Sequence, residues 1–436
     1  MAIKKDITVL KFVYDETDFN ILNELKENFE SVIAIYPENK KLSTEKSGSA
    51  ISYLSELGRV NAINKALKII NTPWILYLNE GEAIDSFKLI PENGNVYAAS
   101  IKYHNTEKPP FYKYEIRLFP VHEEILLNGF DLPDIYELFQ KNNWKLSEQV
   151  FEIQKTVNHE LLQEINPDKE IEQFPVSSRA RLIKAIELIS NQDTKKAIGY
   201  FRQALQKKNM FKYDYTATLN GLSDALVEQN QWEEAKTHVE ISLLEESRQR
   251  MPYLVLYKIA QLKRNWKDAV SNLEKYLEYH DQITKTNYDV YLKKDECHYL
   301  IADAAFRDGD YQQALKHYEQ YYILNDGNID REILKKLFIY SIELSDYDHS
   351  VQYFMDMFGA YIPDLLSDEN YKLMQEALSL FIKKGWIELP CDIYEQLYEQ
   401  NPDDEKILHH WVAALIKAKK VKKAQRLLAI ARKKVS

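Results

Sequence analysis

Two periods of hydrophobicity divide this chain. Over the first ~150 residues, short apolar runs alternate with amphipathic stretches, the pattern of an α/β layer. ITVLKFVY (7–14), SVIAIYP (31–37) and PWILYLN (73–79) predict strands, with NVYAASIKYHN (95–105) and FYKYEIRLFP (111–120) as later ones. FNILNELKENF (19–29) and RVNAINKALKII (59–70) predict helices, the first with Asp18 as its N-cap. The polar stretch from Ser43 to Gly48 reads as a loop. No GxGxxG or Walker loop follows any of these strands.

From about Arg179 the pattern becomes helix after helix. A small residue recurs with a larger apolar residue four positions later. The pairs are Ala197/Phe201, Ala235/Val239, Ala269/Leu273, Ala314/Tyr318, Ser350/Phe354, Pro390/Tyr394 and Ala424/Leu428. Intervals run from 34 (Ala235 to Ala269) to 45 (Ala269 to Ala314). Small residues allow two antiparallel helices to approach closely, and each pair must bury its apolar face on the next. This part resembles the tetratricopeptide repeat, whose helix pair repeats every ~34 residues. YLIADAAFRDGDYQQALKHYEQYYILN (299–325) fits that pattern best, with Ala302 at the closest approach of its two helices. The resemblance implies an all-α solenoid over 179–436 whose surface binds a protein or peptide.

Composition narrows the class. At 436 residues the chain exceeds one ordinary core. A formal charge of −10 disfavours nucleic-acid binding. Cys297 and Cys391 provide neither a disulfide framework nor a zinc site. No apolar run reaches membrane-spanning length and the N-terminus does not read as a signal peptide, so the expected location is the cytoplasm. The tail from Lys406 carries ten Lys or Arg and no acid. It reads as a solvated capping segment, with an anionic partner as the alternative.

ELGRVNAINKALKIINTPWILYLNEGEAI (56–84) resembles the central segment of family 2 glycosyltransferases with the GT-A fold, a Rossmann-like α/β architecture. Asn64, Ala66 and Leu67 match the family's helix motif, with Ile63 where arginine is usual; Trp74 to Leu78 match the strand, and RLFP (117–120) a later one. The resemblance implies a GT-A-like domain over 1–150, a linker over 151–178 and the repeats beyond. It also implies a nucleotide sugar, with Mn or Mg held by an Asp-x-Asp signature after WILYL. The signature is degenerate here. Asn79 replaces the first aspartate and Gly81 the second, which leaves Glu80 and Glu82 as candidate metal ligands. Asn79, Glu80 and Tyr36 become the candidate nucleotide-sugar site, with Tyr36 and Pro37 standing where an aspartate loop is usual. The catalytic-base candidates are His122 and Glu123 of VHEE, or Asp131; Leu132 and Pro133 replace the family's His-Glu in gap-free register.

Substitution at Tyr36, Gly81 and Leu132 together points to a non-catalytic or accessory member of a bacterial protein or peptide glycosylation system. In that reading the repeats hold a protein partner, with a partner glycosyltransferase as another possible associate. The alternatives are an active metal-dependent glycosyltransferase with a protein acceptor, and a pure repeat scaffold.

Overall fold

The computed structural model describes residues 5–38, 49–53, 57–87, 89–104, 111–121, 127, 129, 135, 139, 141–147, 149, 151–156, 166–207, 210–282, 286–327, 329–359 and 368–435. It divides into two compact units, 1–263 with 274–291, and 264–273 with 292–436. The sheet and the first repeats therefore share one unit.

Among the described residues, nine strands form the sheet: β1 (Ile7–Phe12), β2 (Ser31–Pro37), β3 (Ser49–Tyr53), β4 (Trp74–Leu78), β5 (Glu82–Ser86), β6 (Asn95–His104), β7 (Phe111–Pro120), β8 (Lys145–Leu146) and β9 (Phe151–Thr156). Their order is β3-β2-β1-β4-β7-β6-β9-β5, with β8 beside β6. The half β3-β2-β1-β4 is parallel. Beyond it β7 runs antiparallel to β4. β1, β2 and β4 are almost wholly buried, which is why they read as continuous apolar runs. Helix α1 (Glu16–Asn28) packs on one face through Leu22 and Leu25. Helix α2 (Gly58–Leu67) covers the other through Val60, Ile63 and Ala66.

Two expectations need correction. The cap of α1 is Asp15, whose carboxylate accepts from the Asp18 amide; Asp18 lies inside the first turn and is buried. Residues 151–156, expected in the linker, form β9, which pairs with β5 and β6.

Among the described residues, a short helix α3 (Pro167–Gln173) precedes seven helix pairs. They are α4 (Ser178–Ser190) with α5 (Thr194–Gln206), α6 (Lys212–Glu228) with α7 (Trp232–Glu245), and α8 (Met251–Leu262) with α9 (Trp266–Glu278). Then come α10 (Lys294–Asp308) with α11 (Tyr311–Leu324), α12 (Arg331–Glu343) with α13 (Tyr347–Phe358), α14 (Asp368–Lys383) with α15 (Glu388–Gln400), and α16 (Glu405–Lys417) with α17 (Val421–Val435). The predicted small residues Ala197, Ala235, Ala269, Ala314, Ser350, Pro390 and Ala424 all lie near the start of the second helix of a pair and are all buried.

The turn inside each pair is built alike. One residue adopts positive φ in every case: Gln192, Asn230, Arg264, Gly309, Ser345, Gly385 and Lys419. In six turns the next amide reaches back five residues, as in Asp193 N–H to Leu188 O (2.8 Å) and Lys420 N–H to Leu415 O (2.8 Å). This bond closes the first helix. The donor residue often caps the second helix too: Asp193, Asp310 and Asp346 each accept from an amide three residues on.

Candidate functional site

In a doubly wound sheet, ligands bind beyond the carboxyl ends of the strands where strand order reverses. Here that point lies between β1 and β4, so the residues after WILYL do stand at the expected place. The backbone turns sharply there. The Glu82 amide donates to Asn79 O (3.3 Å), and Gly81 has φ 68°. Positive φ at this point of a turn favours glycine. Gly81 thus has a backbone reason: it lets the chain reverse from β4 into β5.

Asp18, Glu80 and Glu82 at this end each have a protein cation beside them. Lys11 shares the sheet face of Val9 and Val13 and is fully buried. Its Nζ donates to Asp18 Oδ1 and to Asn79 O, both at 2.6 Å, tying β1, α1 and the end of β4 together. Asp18 also accepts from the amides of Tyr14 (2.9 Å) and Gly81 (2.8 Å). Glu80 pairs with Arg59 Nη1 at 2.9 Å. Arg59 lies one helical turn before Ile63 on α2. Glu82 is fully buried; it accepts from the Asn79 amide (2.8 Å) and from Arg117 Nη2 (2.9 Å), with Lys155 at 4.0 Å.

Arg117 owes its position to a bulge. β6 and β7 pair Tyr97 with Leu118 and then Ala98 with Ile116, which leaves Arg117 as the extra residue. A bulge re-aims one side chain without ending the strand. Arg117 lies 4.4 Å over the Tyr77 ring, and its Nη2 is 2.7 Å from Glu115. With its amide oxygen assigned from the hydrogen-bond network, Asn79 accepts from both Arg117 Nη atoms at 2.8 Å. Burial pushes the Tyr77 phenol up, against the pull of the Arg117 charge. Glu115 continues the row to Arg179, the second residue of α4. Behind Tyr77, a cavity of about 20 Å³ is lined by Glu115, Arg179, Tyr213 and Asp214. That is room for about one water.

These residues do not fit a divalent cation. Such an ion takes several oxygens in an open shell. Asn79 and Glu82 are turned to Arg117, Gly81 has no side chain, and Glu80 is paired with Arg59. Asn79, Glu80 and Glu82 all follow β4, with Glu80 directed to Arg59 and the other two to Arg117. Tyr36 lies half-buried at the end of β2, separated from β4 by β1, roughly 10 Å away across the sheet. His122, Glu123 and Asp131 lie outside the described residues. Sequence reasoning missed Lys11, Arg59 and Arg117. A lysine in an otherwise apolar strand (ITVLKFVY) was the one available signal.

The repeats carry buried polar groups of their own. His298 of α10 and His317 of α11 face each other with Nδ1 atoms 2.9 Å apart, so one donates and the other accepts. Burial, then the charges of His298 and Lys316, pushes His317 down to about 4. The unfolded chain would bind this proton near 6.5. Between those values the unfolded state holds more protons, so stability falls as pH drops from about 6.5 to 4. Urea midpoints over that range should show a loss of at most about 2 kcal/mol, after allowance for solvent screening. His317→Gln should flatten that slope; an unchanged slope would refute the role.

No known protein family matches this sequence, and no curated protein does. Among solved structures it is similar to YrrB, described as a TPR protein with an unusual peptide-binding site, at 14% identity and TM-score 0.36, over 49% of this chain and 98% of that one. It is similar to PilW, a type IV pilus biogenesis factor, at 15% identity and TM-score 0.34, over 48% and 87%. A MamA protein matches at 12% identity and TM-score 0.33, over 46% and 94%. The helix-pair architecture stands on the turns and buried positions described above. Among the described residues, no helix is long and apolar enough to cross a membrane.

Proposed function

We propose that this chain is a non-catalytic accessory protein related to the GT-A glycosyltransferases, with repeats that hold a protein partner. The parallel half β3-β2-β1-β4 and the acidic strand end support the relationship. The observation that carries the loss of chemistry is the pairing of Asp18, Glu80 and Glu82 with Lys11, Arg59 and Arg117. A carboxylate that ligates a divalent metal, whose charge offsets the donor's diphosphate, would have to give up its buried cationic partner. The partner on the repeats would be the protein to be glycosylated or the enzyme that modifies it.

Titration calorimetry with a panel of UDP- and GDP-sugars, with and without manganese, tests the reading. The expected result is no metal-dependent heat and no sugar transfer. Manganese-dependent binding, or hydrolysis of any donor, would overturn it in favour of an active glycosyltransferase.

A further inference from the structure

Helix α6 is buried almost all round, yet it is polar. Asp214, Thr216, Thr218, Asn220, Ser223 and Asp224 are all buried on it. Asn220, Ser242 and Gln249 satisfy one another in a closed network. Asp214 and Asp224 do something different: both bind a stretch of chain that belongs to no helix or strand.

That stretch is Thr286–Tyr291, in the connector between α9 and α10. Asn287 donates its amide to Asp214 Oδ1 at 2.6 Å. The Tyr288 phenol reaches Asp224 Oδ2 at 3.4 Å, and its ring meets Phe201 edge-on at 6.4 Å. Asp289 pairs with Arg250 Nη2 at 2.6 Å. Tyr291 lies under the same guanidinium, 5.1 Å from ring to Cζ, and beside His280 at 4.8 Å. Thr286, Asn287 and Tyr288 are buried.

Two features make this segment resemble a bound peptide more than a packed loop. One backbone–backbone bond holds it to α6, Asn287 N–H to Tyr213 O at 3.4 Å. Its other anchors are side chains, in the way a groove reads an extended peptide. The segment also accounts for the longest interval in the repeat array. Ala269 to Ala314 spans 45 residues where Ala235 to Ala269 spans 34, and the surplus lies in this connector.

We propose that α6, the start of α8 and the end of α9 form a peptide-binding seat that the chain fills with its own Thr286–Tyr291. The ligand that displaces the segment is an extended peptide bearing a carboxamide, an aromatic ring and a carboxylate in succession. Asp214 reads the carboxamide, Phe201 and Asp224 the ring, and Arg250 the carboxylate. The inference rests on the reading of the repeats as a protein-binding surface and names the site and chemistry of that binding.

The test uses the full chain. In Asn287→Gly/Tyr288→Gly/Asp289→Gly the seat loses its own occupant. A fluorescein-labelled peptide with the sequence of Thr286–Tyr291 should bind this variant at least tenfold more tightly than the parent, by anisotropy. A scrambled peptide should bind at least tenfold more weakly. A variant that keeps its helical circular dichroism but takes neither peptide, or takes both equally, overturns the proposal. Hydrogen exchange on the unaltered chain gives an answer even if the variant fails to fold. Amides of 286–291 should exchange well ahead of those in α6, because the segment opens locally. Exchange no faster than α6 would make the segment fixed core and overturn the proposal. Loss of the seat leaves the calorimetric test of catalysis untouched, so the two readings fail separately.

Discussion

Replacing Arg117 with methionine should destabilise the sheet unit by about 3–5 kcal/mol, the usual cost of leaving one partner of a buried ion pair behind. Glu82 would keep its charge in a fully buried position, with Lys155 at 4.0 Å as a distant substitute. Asn79 would lose both guanidinium donors. The damage should extend beyond the strand end. Arg117 also holds Glu115, which holds Arg179 at the start of α4, so the sheet and the first repeats share one row of alternating charges. Urea unfolding followed both by near-ultraviolet dichroism and by helix signal should show the two transitions shift together. The double variant Arg117→Met/Glu82→Met should lose less than Arg117→Met alone, because no charge is stranded. An Arg117→Met chain within about 1 kcal/mol of the parent would remove the structural role assigned to this row.

Gly221→Ala should also destabilise the first repeats. A Cβ at Gly221 would lie 2.5 Å from Phe201 Cζ and 2.7 Å from Cε1. Phe201 is fully buried and cannot swing aside. One methyl group therefore forces α5 and α6 apart, at about 1–3 kcal/mol for overpacking. This outweighs the helix propensity gained, which is up to about 1 kcal/mol. Phe201→Leu alone should cost stability through lost volume, yet combined with Gly221→Ala it should recover part of the loss. A double-mutant cycle by thermal unfolding measures that coupling. Additive effects of the two changes would mean that the ring and the glycine do not meet.

The repeat half was largely legible because its rule is local. A small residue followed by a large one four positions later sets which faces touch, and both lie on one helix, as Ala197 and Phe201 or Ala314 and Tyr318 do. β1, β2 and β4 were legible because burial on both faces leaves unbroken apolar runs; β3, whose Ala50 to Ser52 are only half-buried, was not. The strand end was legible only by half. The acids stand in consecutive sequence, whereas the cations that answer them come from β1, α2 and β7. No periodicity brings Lys11, Arg59 and Arg117 together. Arg117 in particular depends on a bulge, which is a register event between two strands and leaves no mark in composition. Gly81 was read as a missing ligand because a side-chain comparison has no column for φ. The segment Thr286–Tyr291 showed only as an overlong interval between Ala269 and Ala314; its contacts with α6 depend on tertiary folding.

The shared turn inside the helix pairs has an evolutionary side. Its left-handed residue and its backward hydrogen bond fix how many residues the turn may contain, so insertions there would break both at once. Among the described residues, the joints between one pair and the next carry that lock only after α11, where Asp326 has positive φ and Gly327 N–H reaches Tyr322 O at 3.0 Å. They range from four residues between Asn401 and Asp404 to fifteen between Tyr279 and Lys293. New sequence can therefore enter this chain at alternate junctions only. The array can acquire an appendage between repeats without altering any repeat, and the connector that holds Tyr288 is the one where the chain has used that freedom most among the described residues.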